Sequence, residues 1–172
     1  MTTLSGNREK AMSLLKMAGI KKPPVDVNKI AKALGFTVIP FEYPDAFSGE
    51  IFIKGNVKSI GVNKRHSKTR QRFTIAHEIG HYINGHTYYD KTGDMYEDES
   101  FDYSNPMHQQ EKEANFFAAE LLVPKNFVKK DLDKFGLDIP RLSELYNVSE
   151  QMMWIRLTSL KLAEKYARAK HT

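Results

Sequence analysis

A helix that is apolar around most of its circumference but carries two histidines and a glutamate in one wedge can be accommodated in few ways. Residues 72–85 have that pattern. On a helical wheel Ile75, Ile79, Tyr82 and Ile83 fall on one side, with Phe73, Ala76 and Gly80 along the flank. Thr74, His77, Glu78 and His81 make up the polar wedge. Such a helix is predicted to be buried rather than solvated. Buried imidazoles and carboxylates then need partners, because leaving them unpaired is costly.

The wedge reads His77-Glu78-Ile79-Gly80-His81, an H-E-x-x-H pattern. Residues four apart on a helix lie about 40° from each other around the axis, so both histidines can reach one Zn²⁺. Glu78 is placed to take a proton from a water and later hand it to a leaving amine. A polar wedge satisfied by hydrogen bonds alone is the alternative that the pentapeptide, being short, leaves open.

A catalytic zinc usually takes three protein ligands and keeps one position for water. The chain has no cysteine, so the third must be a histidine or a carboxylate. Residues 108–122 are predicted to form a second buried helix and offer three glutamates. Glu113 shares a stripe with Ala114, Phe117 and Leu121, where a carboxylate calls for an explanation, and spacing favours it. Glu111, roughly 160° round the wheel beside Asn115 and Leu122, and Glu120, about 10 Å along the axis, stay open as alternatives.

The remaining chain is predicted to be α+β. Residues 7–18 and a segment capped by Asp26 or Asn28 read as helices, closed by Gly19 and Gly35. Residues 36–41, 48–53 and 57–62 read as a small three-stranded sheet, with a hairpin signal at Gly55-Asn56. Either of the last two strands would offer an edge on which an extended peptide can lie, unless both are paired inside the sheet. The stretch from His86 to His108 is rich in Asp, Glu and Tyr and reads as a lid or a surface loop. Residues 142–160 outline a helix-turn-helix with Ser149 as the second N-cap. That second helix offers Met152, Met153, Trp154, Ile155, Leu157 and Leu160, and only Gln151, Arg156 and Lys161 nearby as DNA contacts. It is therefore predicted to pack or dock rather than read a groove.

These blocks resemble the ImmA/IrrE family of bacterial and phage metallopeptidases. The resemblance rests on Ala76 to His81 paired with the run from Glu113-Ala114-Asn115 to Leu121-Leu122-Val123-Pro124, and it covers most of residues 25–162. It implies a zincin-like fold with residues 1–124 as the metallopeptidase domain and 125–172 as a helical, helix-turn-helix-like segment. It also implies zinc held by His77, His81 and Glu113, Glu78 as the base, and a transcriptional repressor, often a helix-turn-helix protein, as the substrate. Val123 stands where the family usually has methionine, a core change without chemical consequence. A metzincin is excluded by register, since it needs a glycine at 84 and a histidine at 87, where this chain has Asn84 and Thr87. His86 and Tyr82 are candidates to hydrogen-bond a tetrahedral intermediate, with structural roles as the plainer alternative.

Net charge runs +9 over residues 1–72, −8 over 73–120 and +4 over 121–172. The acidic middle suits a divalent cation and basic peptide segments; the basic flanks are read as solubilising, with DNA contact less favoured. No apolar run reaches membrane-spanning length, so a soluble cytoplasmic protein is expected. Two non-cleaving alternatives share the fold: a regulatory protein that grips a repressor or DNA, and a toxin–antitoxin partner.

Overall fold

The computed structural model describes residues 4–86 and 106–168. Helix α1 (Leu4–Met17) leads to α2 (Val27–Ala33), opened by the Asp26 carboxylate, which accepts from the Lys29 N–H at 2.9 Å. Strands β1 (Thr37–Phe41), β2 (Gly49–Lys54) and β3 (Val57–Asn63) form one sheet in the order β1-β3-β2. β1 runs parallel to β3, while β2 pairs antiparallel with it across the Gly55-Asn56 turn, where Gly55 takes a φ of 58°. β3 is thus paired on both sides, and of the two candidate substrate edges β2 lies at the sheet margin.

The sheet lies close on α3 (Lys68–Asn84), which starts at the Ser67 cap. A Cβ added at Gly49 would come within 2.5 Å of the Thr74 methyl on α3 and 2.4 Å of the Gly61 carbonyl oxygen. Every residue from Phe73 to His81 is buried, as the wheel requires. α3 also meets α4 (Pro106–Leu122), closely at Gly80: a Cβ there would sit 3.1 Å from the Ala114 carbonyl oxygen and 3.1 Å from Phe117. Two helices cross this tightly only where one lacks a side chain.

Helices α5 (Lys125–Phe135), α6 (Ile139–Tyr146), α7 (Glu150–Ser159) and α8 (Leu162–Arg168) complete the α+β fold. The turn between α6 and α7 passes through Asn147 in the left-handed region (φ 51°), and Ser149 caps α7 by accepting from the Met152 N–H at 3.1 Å. This is the expected helix-turn-helix outline. The apolar core takes residues from both sides of position 124, joining Leu121 and Leu122 to Val128, Leu132, Leu142 and Met153. Arg72 of α3 adds a polar tie, donating to the carbonyls of Val25 at 2.8 Å and Asn147 at 3.0 Å. Residues 87–105, which hold most of the stretch read as a lid, lie outside the described residues.

Arg156, counted in the sequence among the few groups able to reach DNA, faces inward instead. It is 1% exposed, donates from Nε to the Val123 carbonyl at 3.1 Å and places Nη2 2.6 Å from the Glu120 carboxylate. Arg8 of α1 meets the other Glu120 oxygen at 3.1 Å. A buried helix of apolar period hides its one cation wherever an anion waits inside, and Glu120 is that anion. Removing Arg156 leaves the buried Glu120 carboxylate with only the partly exposed Arg8 as its cation, so Arg156→Ala is expected to lose about 3 kcal/mol in denaturant unfolding, the low end for a broken buried pair. The paired change Arg156→Met with Glu120→Leu should recover most of that loss; a double mutant as unstable as Arg156→Ala would show that packing rather than charge sets the cost.

Candidate metal centre

The polar wedge of α3 points at α4. His77 and His81 are each 1% exposed, their ring centroids 4.6 Å apart and their Nε2 atoms only 2.9 Å apart. From α4 the Glu111 carboxylate closes the group, with Oε2 3.1 Å from His77 Nε2 and Oε1 3.4 Å from His81 Nε2. These three residues offer ligand atoms that all lie within 4.8 Å of one another. Burial alone would raise the Glu111 carboxyl, but His77 and His81, when protonated in the metal-free protein, outweigh it through their hydrogen bonds and charge and hold the group far below the usual carboxylate range.

Asn115, one turn on from Glu111, supports the arrangement from the same face of α4. Its Oδ1 lies 2.8 Å from His77 Nδ1, and an amide oxygen can only accept, so His77 carries its hydrogen on Nδ1. The Nε2 lone pair is then turned toward His81 and Glu111, the tautomer that a metal ligand needs. Nothing in the sequence reading gave Asn115 this role. The available signal was its i+4 spacing from Glu111, which puts an acceptor and a carboxylate on one stripe.

Glu113, the expected third ligand, is placed elsewhere. Its Oε2 lies 3.1 Å from His86 Nε2 and its Oε1 accepts from Gln109 Nε2 at 3.1 Å. The wheel identified a carboxylate on an apolar stripe needing a basic partner, but it gave no azimuth relative to α3, and a different histidine answers the need. Glu120 is taken by Arg156 and Arg8. Tyr82 turns to the sheet side, edge-on to Phe36 at 5.0 Å, with its hydroxyl 2.7 Å from Lys58 Nζ. His86 packs under His81, Nδ1 to Nδ1 at 2.9 Å. Glu78 follows His77 on α3 and is 4% exposed.

Two imidazole nitrogens and a carboxylate oxygen are a donor set that suits Zn²⁺, and the chain offers no thiolate to compete for it. The residues present therefore fit the ion, with Asn115 supplying the outer hydrogen bond such sites use to orient a ligand.

Comparison with known proteins bears on the family and the fold. The family model described as Peptidase_M78, IrrE N-terminal-like domain, matches residues 31–158. Among solved structures, a Mycobacterium tuberculosis transcriptional regulator superposes with a TM-score of 0.63 at 16% identity, over 88% of this chain and 46% of that one. The chain thus spans about half the length of that protein, and the likeness is one of fold. No curated protein matches.

Because the atoms facing Gly80 include the Ala114 backbone, which cannot swing aside, Gly80→Ala should push α3 and α4 apart by a few tenths of an ångström. A loss of about 1–3 kcal/mol in unfolding free energy is expected, with weakened metal uptake measured by chelator competition. Wild-type values for both would contradict the close-approach argument.

Proposed function

Because the chain belongs to the Peptidase_M78 family of IrrE N-terminal-like domains, we propose that it is a zinc-dependent endopeptidase of the cytoplasm that cuts a regulatory protein, a helix-turn-helix repressor by the family resemblance. The observation that carries the chemistry is the meeting of the buried His77 and His81 of α3 with Glu111 of α4, with Glu78, next to His77 in the chain, also buried. In this reading Glu111, rather than Glu113, completes the ligand set.

When bound, zinc would supply Lewis acidity toward a water and the scissile carbonyl. The chain's own residues do the rest. His77 and His81 hold the ion through Nε2, and Glu111 adds a negative charge from the facing helix. Glu78 takes the proton of the attacking water and returns it to the leaving amine, a step worth about 10²–10⁴-fold in rate. β2 offers a strand margin on which an extended substrate can add, and its first residue packs against Thr74, one turn before His77. No helix among the described residues is long and apolar enough to cross a membrane.

The chemistry is tested by Glu78→Gln, expected to keep stoichiometric zinc while cleavage falls by about 10²–10⁴-fold. His77→Ala and Glu111→Ala should lose the metal. For the substrate, co-expression with a repressor encoded beside the gene should give a cleaved product with wild type and none with Glu78→Ala. An intact repressor that co-purifies with both proteins would favour a binding protein that does not cut.

A further inference from the structure

We infer that His86 and Glu113 form a positioning relay behind His81, fixing that ring so that its Nε2 lone pair faces the metal position. The inference rests on the zinc-site reading above and adds to it two residues that hold no metal themselves.

The relay begins in the chain's local geometry. α3 ends at Gly85 with φ 67° and ψ 30°, a left-handed conformation that costs little only without a Cβ. The reversal lets the His86 N–H bond back to the His81 carbonyl at 3.0 Å, the six-to-one bond of a Schellman motif. His86 is thereby folded under the helix it has just left, 7% exposed, with its ring 5.0 Å from that of His81 and at 72° to it.

Hydrogen positions follow from the partners. A carboxylate only accepts, so His86 Nε2, 3.1 Å from Glu113 Oε2, carries the hydrogen. In a neutral ring Nδ1 then carries the lone pair, and at 2.9 Å from His81 Nδ1 it is placed to accept the hydrogen of that nitrogen. His81 Nε2 is left with its lone pair, 2.9 Å from His77 Nε2, which Asn115 has fixed in the same tautomer. Two lone pairs face each other at that distance beside the Glu111 carboxylate. A metal ion or a proton between them relieves that opposition, and the zinc-site reading takes it to be the metal.

The two histidines are therefore held by different devices: a neutral amide for His77, and for His81 an imidazole backed by a carboxylate. Glu113 is itself steadied by Gln109, which donates to its second oxygen at 3.1 Å. Through His86 the Glu113 charge strengthens His81 as a donor, as carboxylate partners of metal-bound histidines do.

The test is zinc affinity of the full chain by chelator competition, with thermal unfolding of the metal-free proteins as the folding control. His86→Ala and Glu113→Ala are expected to bind one zinc at saturation with affinity lowered about 10–100-fold. Since Glu113 acts through His86, the double variant should be no weaker than His86→Ala alone. His86→Asn, whose Oδ1 stands in for Nδ1 as acceptor, should regain much of the loss and covers the case in which His86→Ala fails to fold. Wild-type affinity in both single variants, or losses that add in the double, would overturn the relay while leaving the zinc site standing. Loss of all zinc from Glu113→Ala, with Glu111→Ala binding normally, would overturn it by making Glu113 a ligand. A wild-type protein that takes up no zinc would remove the metal site and the relay together.

Discussion

The cost of burying the polar wedge of α3 is the constraint on which the rest of the molecule depends. Every residue from Phe73 to His81 is out of solvent, and two imidazoles and a carboxylate sit among them. Such groups are tolerated only when each polar atom meets a partner of matching sense. α4 supplies partners for both histidines from one stripe, Glu111 with Asn115, while Glu113 on another stripe meets His86 just past the end of α3. The helices must come within backbone contact to do so, which is why a glycine stands at position 80. Packing and chemistry are one problem here, and the sheet packs against α3 beside the same wedge, at Thr74.

Much of this was legible in the chain. The apolar period of residues 72–85 and the His77–His81 spacing announced a buried helix with a convergent wedge, and the Gly55-Asn56 turn gave the hairpin. Asp26 and Ser149 were readable as caps because their side chains suit no other local role so well. What the sequence withheld was relative rotation between helices. Periodicity reports which residues share a stripe, not which stripe faces which neighbour, and both glutamate stripes of α4 end in apolar residues. Choosing between Glu111 and Glu113 therefore needed the crossing of α3 and α4. The same ignorance hid the inward turn of Arg156, whose exposure could not be read without knowing that Glu120 lay beneath it.

His86 illustrates a subtler gap. In the sequence it is a histidine one residue out of register for a three-histidine metal motif, a candidate to reach the pocket with a structural role as the plainer alternative. A left-handed glycine before it changes the outcome, carrying the side chain behind the metal position rather than into it. A local backbone signal thus decides where the His86 ring is placed, which residue type and spacing left ambiguous.

The placement of β2 at the sheet margin bears on which targets can be processed at all. An open strand pairs only with main chain whose own N–H and C=O groups are not engaged, and a folded helix has none to give. On the reading that the target is a largely helical regulator, the bond cut must lie in a linker or in a segment that frays. Selectivity then resides partly in the target's own stability landscape: a regulator that opens on losing its DNA or its partner would present itself, and a fully assembled one would pass unharmed.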